Sequence, residues 1–222
     1  MAADRPTPEA VVLVHGLWMN GLELSWLAHR LRRSGYTPYR FHYPSVRETA
    51  ARNAARLEHF CVSLAEERIH LVGHSLGGLV ILQMLSECPP ARLGRVVLLG
   101  SPIRGSSAAR RFSRFRLGRR MLGRSIGSGG LFDERRTIPS DVEIGVIAGT
   151  AGIGLGRLFG PLKSPNDGTV TLEETQLPGI RDHLTLPLTH TTLLFSRRTA
   201  GAICRFLRCG RFQTASEESD GK

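Results

Sequence analysis

Short, continuous apolar runs recur along this chain, and between them the apolar positions fall every three or four residues. VVLVH (11–15) is a β-branched run with no polar face, the pattern of a strand covered on both sides. TPYRFHY (37–43), IHLV (69–72), RVVLLG (95–100), VEIGVIAG (142–149) and HLTLP (183–187) read as five more strands. Residues 21–34 place Leu22, Trp26, Leu27 and Leu31 at helical spacing, and Ser-Gly-Tyr closes that helix. Residues 48–66 are Ala-rich, with Leu57, Phe60 and Leu64 on the inward side. LGGLVILQMLSE (76–87) is an apolar helix stopped by Pro89 and Pro90, and a last helix spans about 191–208. Strands that alternate with helices predict an α/β fold: about six strands in a mostly parallel sheet, with helices on both faces. In such sheets ligands bind at the carboxyl ends of the strands.

One of those ends is unusual. GHSLGGLV (73–80) brings a serine to the end of a buried strand and crowds it with glycines. Glycine weakens a strand unless the backbone bends sharply or another group approaches closely. Gly73-His74-Ser75-Leu76-Gly77 fits G-x-S-x-G between a strand and a helix. In that context the serine takes a strained geometry that lifts its hydroxyl above the sheet. A glycine-rich phosphate loop is the rival reading, but its lysine is missing.

A nucleophilic serine needs a base, an acid that orients the base, and donors for the oxyanion. SPNDGTV (164–170) follows the fifth strand and offers Asp167 at a turn. LTHTTLL follows the sixth strand and offers His190. Both therefore stand on the same rim as Ser75, in the order Ser, acid, His. Asp182 and His183, and likewise Asp141 and Glu143, lie at the opposite ends of their strands, while His15 and His74 belong to other turns. The expected oxyanion donors are the backbone N–H groups of Leu76, after the serine, and Leu17, in the turn after the first strand. His15, Gly16, Gly73 and Gly77 are read as structural residues of these turns.

HGLW, GHSLGG, the PNDGTV turn, the THTTLL loop and GSP (100–102) followed by RGS together resemble the α/β-hydrolase superfamily, with the nearest likeness to compact bacterial lipases and serine esterases. The resemblance covers about residues 10–208. It implies a sheet lacking the first two strands of the larger fold. It also implies hydrolysis of carboxylic esters, lipid-like or short-acyl, through an acyl-enzyme on Ser75, Asp167 and His190. The oxyanion turn is HGLW rather than HGGG, so a preference for bulky or tertiary alcohol esters is not implied. A thioesterase or acyltransferase would use the same triad, and a non-catalytic binding member of the fold is the further alternative.

Composition adds bounds. The chain has 222 residues, 41% hydrophobic and 22% charged, as in one soluble domain: residues 1–210, with a polar tail at 211–222 expected to be disordered. Its four cysteines lack metal-ligand spacing, and no metal or organic cofactor is required. MAADRPTPEA has no apolar core, and no run is long enough for a membrane span, so a cytoplasmic protein is expected. The net charge of +11 is concentrated: residues 101–140 hold ten Arg against Asp133 and Glu134. Residues 103–140 are read as a small basic cap over the active-site rim. Within it, RRFSRFRLGRRMLGRSIG (110–127) puts Phe112, Phe115, Leu122 and Ile126 on one side with Arg between them, while Gly118 and Gly123 weaken it as a helix. Such a cationic amphipathic stretch, 104–136, suits an anionic membrane surface. No nucleic-acid motif accompanies the basic run, so nucleic acid is not an expected partner.

Overall fold

A computed structural model describes residues 9–127, 141–154, 161–176 and 178–212. Six strands, β1 (Ala10–Val14), β2 (Thr37–Phe41), β3 (Ile69–His74), β4 (Leu93–Leu99), β5 (Ile144–Gly149) and β6 (Asp182–Leu186), form one sheet in the order β2-β1-β3-β4-β5-β6. Every pairing is parallel. Every residue of β1, β3 and β5 is buried, which is why these strands show no polar alternation.

Helices cover both faces. α2 (Ala50–Ser63) and α3 (Leu76–Glu87) pack Leu57, Leu79 and Ile81 against Val12, Val14, Leu71 and Val96. On the other face, α1 (Ser25–Arg33) and α6 (Arg197–Cys209) pack Leu27, Leu31, Ile203 and Phe206 against Val11, Leu13, Val72 and Val97. Thr49 caps α2 by accepting from the Arg52 N–H, and Ser196 caps α6 by accepting from the Thr199 N–H. Two further helices, α4 (Ser107–Phe112) and α5 (Arg116–Gly127), fall in the basic insertion.

Several boundaries differ from the sequence expectation. The first and last predicted helices each open with a 3₁₀ turn, Leu22–Leu24 and Thr192–Phe195, because i,i+3 periodicity fits both helix types. Leu22 is therefore exposed rather than inward. The tail expected to be disordered from 211 starts later than that: Phe212 is buried, stacks on Phe206 and donates its N–H to Asp182. Residues beyond it, and the insertion from 128 to 140, lie outside the described residues. Cys61, Cys88, Cys204 and Cys209 form no disulfide. Among the described residues no helix is long and apolar enough to cross a membrane.

The chain runs from β1 outward to β2, then returns past β1 to lay down β3. The direction of winding thus reverses between β1 and β3, which opens a crevice at their carboxyl ends. α3 starts there and lies almost on the backbone of β1: a Cβ on Gly77 would overlap the Val14 carbonyl oxygen. Gly77→Ala is expected to lower the unfolding free energy by about 1–3 kcal/mol, because neither backbone can retreat. Gly201→Ala, inside α6 with nothing near its Cβ, is expected to raise it by about 0.5–1 kcal/mol. Urea denaturation of both variants checks this pair of opposite signs, and equal midpoints would contradict the packing.

Candidate active site

Ser75 sits between the last residue of β3 and the first of α3 with φ 53° and ψ −118°. For a residue with a side chain this backbone costs on the order of 1–3 kcal/mol, and it persists only where its surroundings dictate it. They do so here through bare backbone contacts. The Ser75 N–H donates to the Leu99 carbonyl at 2.9 Å. A Cβ on Gly73 would fall 2.6 Å from the Gly78 backbone, and one on Gly78 would overlap the Ser101 hydroxyl. Trp18, in the turn after β1, is the other non-glycine residue with positive φ among the described residues, at 60°. Both strained residues line one cavity.

The turn after β1 is held by His15. Its buried ring stacks on Tyr43 with centroids 4.3 Å apart. Nε2 accepts from the Tyr43 N–H at 3.4 Å, so Nδ1 carries the proton and donates to the Gly16 carbonyl at 2.9 Å. The Tyr43 hydroxyl donates to the His15 carbonyl at 2.7 Å. Burial pushes the His15 pKa down, and the neutral ring uses both nitrogens in fixing the turn. Gly16 lets this turn approach the serine: a Cβ there would lie 3.3 Å from the Ser75 Cβ.

Asp167 and His190 meet on the same rim. The His190 Nδ1–H donates to Asp167 Oδ2 at 2.7 Å. The other carboxylate oxygen accepts from the Thr169 and Val170 N–H groups at 2.9 and 2.7 Å. Asp167 is only 1% exposed, so three donors replace the water it has lost. Asn166 shapes the turn by accepting from the Gly168 N–H at 2.9 Å. The His190 N–H donates to the Asp167 carbonyl at 2.8 Å, which joins the two loops by backbone as well as side chain.

Ser75, Leu76, Leu17 and His190 all face one apolar cavity of about 280 Å³, walled by residues such as Leu79, Phe112, Leu122 and Val170. The Ser75 hydroxyl makes no hydrogen bond to His190 in this structure. Leu76 is the first residue of α3, where backbone N–H groups have no partner within the helix. Three of the alternatives are engaged elsewhere: Glu143 pairs with Arg95 at 2.6 Å, Asp182 accepts from the Phe212 N–H, and His183 bonds to Thr175.

Three features escaped the sequence reading. Gly100 has φ 53° and lies beneath the Asp167–His190 pair, where a Cβ would come within 3.0 Å of both Asp167 Oδ2 and His190 Nδ1. Glu174 anchors the segment after the acid turn. Its carboxylate accepts from the Thr171 N–H at 3.0 Å and the Ser107 N–H at 2.6 Å, and its own N–H donates to Thr171 Oγ1. TLEE (171–174) carried that signal, since Thr-x-x-Glu is a capping box. The third is His74, whose Nε2–H donates to the His190 carbonyl at 3.1 Å. Its ring centroid lies 4.7 Å from that of His190, and its Nδ1 is buried without a partner.

The cap also departs from expectation. Leu122 is buried, and Phe112 and Ile126 are half-buried against the cavity, but Phe115 is 67% exposed and faces away. Gly118 packs against the Phe112 carbonyl, and Gly123, with φ 70°, kinks α5. Two contacts pin the helix. Ser125 accepts from Asn53 Nδ2 and donates to the Glu48 carbonyl, and the Trp18 indole donates to the Met121 carbonyl at 2.8 Å. Among the described residues no cluster of His, Cys, Asp and Glu could hold a metal ion.

Burial, and secondarily the neighbouring His190, pushes the His74 pKa down to about 3. Burial also lowers His15, His70 and His183. Below the ordinary histidine value of about 6.5 the unfolded chain takes up protons that these folded sites refuse. Stability is therefore expected to rise with pH across the window from about 3 to 6.5, and to be lost as pH falls through it. Each such site contributes up to about 1.4 kcal/mol per pH unit. Urea denaturation at pH 7 and at acidic pH checks this. His74→Asn, which removes one titrating group but keeps a donor, should flatten the slope, and an unchanged slope would contradict it.

Comparison with known proteins bears on the fold. Residues 11–197 match the model of the alpha/beta hydrolase family. Among solved structures, a Bacillus licheniformis lipase, BlEst2 in its mature form, superposes with a TM-score of 0.74 at 20% identity, covering 93% of this chain and 94% of that one. A metagenomic carboxyl esterase, MGS0156, gives 0.66 at 22% identity, covering 84% of this chain and 65% of the esterase. The Bacillus subtilis carboxylesterase CesB gives 0.59 at 16%, covering 93% and 85%. No curated protein matches the chain significantly. With its parallel sheet, its serine turn at the switch point and a family match over most of its length, the chain belongs to the alpha/beta hydrolase family.

Proposed function

We propose that the protein is a serine hydrolase of carboxylic esters, with Ser75 as nucleophile, His190 as base and Asp167 as the acid that orients it. The observation that carries this reading is the buried Asp167–His190 pair facing the same apolar cavity as the strained Ser75. The likeness to a lipase and two carboxylesterases agrees with it.

The chemistry follows from the atoms. Asp167 holds the Nδ1 proton of His190, so Nε2 is the lone-pair nitrogen. Nε2 takes the Ser75 proton as Oγ attacks the ester carbonyl carbon. The carbonyl π electrons move onto oxygen, and the N–H groups of Leu17 and Leu76 stabilise that oxyanion. Collapse of the intermediate expels the alkoxide, which takes the proton from His190 and leaves as the alcohol. Water, deprotonated by His190, then attacks the acyl-enzyme. The acid departs, and Ser75 regains its proton.

The cavity sets the acyl group. Its volume of about 280 Å³ is close to the lower bound of small-molecule pockets, roughly 300–1,000 Å³. Its walls are mostly Leu, Met, Phe, Ile, Val, Pro, Ala and Trp side chains, with Ser106 and three threonines among them and, besides His74 and His190, no ionisable side chain, so a short or medium acyl chain suits it better than a charged one. On p-nitrophenyl esters from acetate to palmitate, activity is expected to peak at short to medium chains. A fluorophosphonate should label Ser75. Ser75→Ala should lower kcat/KM by at least about a thousandfold, and Asp167→Asn by on the order of 10³–10⁴ through the wrong His190 tautomer. Full activity in Ser75→Ala would refute the assignment.

A further inference from the structure

The cap has two faces, and only one belongs to the cavity. Residues 103–127 contain eight Arg and no Asp, Glu or Lys. Arg104, Arg110, Arg114, Arg116, Arg119, Arg120 and Arg124 are exposed. Between them stand apolar side chains that the fold leaves in water: Phe115 at 67%, Leu117 at 68% and Met121 at 43% exposure. Leu117 and Met121 are one turn apart on α5, so they share a face. That face continues to the cavity mouth. The indole of half-exposed Trp18 bonds to the Met121 backbone, and Trp18 and the 74%-exposed Ile153 both line the cavity.

We infer that this outer face of the cap binds an anionic lipid membrane, which places the cavity mouth against the bilayer so that membrane-dissolved esters enter from it. The inference rests on the ester-hydrolase reading for the identity of the substrate, but not for the binding itself.

Charge complementarity selects the occupant. Residues 101–140 account for +8 of the net +11, ten Arg less two acids. Guanidinium groups pair in bidentate fashion with phosphate, and they do so from a rim around apolar side chains. A helix with that composition lies in the interfacial plane, with its apolar residues among the upper acyl chains and its cations at the headgroups. A nucleic acid would satisfy the arginines but would leave Leu117, Met121 and Ile153 in water, and it would gain nothing from the place of Ile153 and Trp18 on an acyl-sized cavity. Pinning of α5 through Ser125 and the Trp18 indole keeps the two faces apart: Leu122 and Ile126 inward, Leu117 and Met121 outward.

The test uses the full chain carrying Ser75→Ala, so that turnover cannot alter the lipid. Co-sedimentation is measured with vesicles of phosphatidylcholine alone and of an equimolar mixture with phosphatidylglycerol. Binding is expected to be about tenfold or more tighter to the anionic vesicles and to weaken at high salt. Adding Arg116→Gln with Arg120→Gln, or Phe115→Ser with Leu117→Ser, should each reduce it by about tenfold. These side chains are exposed, and thermal melting confirms that each variant is folded. Binding that ignores lipid charge, binding that survives both double substitutions, or affinity for a short DNA duplex with none for vesicles would overturn the inference. Fluorophosphonate labelling of the unsubstituted protein is read separately. Labelling without vesicle binding removes only the membrane inference, and vesicle binding without labelling removes only the hydrolase reading.

Discussion

The structure turns on the contact of one helix with bare backbone. α3 can begin directly above β3 only because Gly73, Gly77 and Gly78 present no side chains to their neighbours. That contact forces Ser75 into φ 53° and aims its hydroxyl away from the sheet. The strain is local, whereas its support is distributed. Val80, Ile81, Met84 and Leu85 on the same helix are buried against the sheet and α2, and their burial outweighs about 1–3 kcal/mol of backbone cost. The same seat puts the first N–H groups of α3 beside the turn after β1, so one packing decision sets both the serine and the N–H groups around it.

The Asp167–His190 pair is built by different means. Asp167 and His190 come from loops after β5 and β6, and no regular element holds them. Their positions depend on a closed set of hydrogen bonds: two N–H groups and an imidazole on the carboxylate, and a backbone bond between the loops. Gly100 makes room below, and Glu174 ties the far side of the acid turn to the start of the cap. The start of the cap is thereby tied through Ser107 and Glu174 to the segment that carries Asp167.

Much of this was legible in the sequence because the sheet is buried on both faces. Continuous apolar runs such as VVLVH have few other uses, and parallel topology fixes which strand end each loop occupies. Ser75, Asp167 and His190 could therefore be placed on one rim from their order alone. What local pattern could not convey was contact between distant segments. Gly100 reads as a loop glycine until the pair above it is seen, and His74 reads as a filler between Gly73 and Ser75 until the His190 carbonyl is found at its Nε2. The spacing of Phe112, Phe115, Leu122 and Ile126 puts Phe115 on one side with the others only if 110–127 is a single helix. The chain instead turns between α4 and α5, which rotates Phe115 outward.

His74 also shows how environment separates two identical side chains. Its ring lies 4.7 Å from His190, yet it is sealed from water and held neutral. His190 remains 12% exposed, pairs with a carboxylate and faces the cavity. In the proposed mechanism His190 becomes an imidazolium twice per turnover. A second positive charge at that distance would oppose each protonation, because a like charge within a few ångströms disfavours the charged form. Burial of His74 removes that opposition while keeping an N–H donor for the His190 carbonyl. An apolar residue would also be neutral but could not hold the loop, and an exposed histidine could hold the loop but would charge in mild acid. A buried histidine meets both requirements, at the cost of stability in acid.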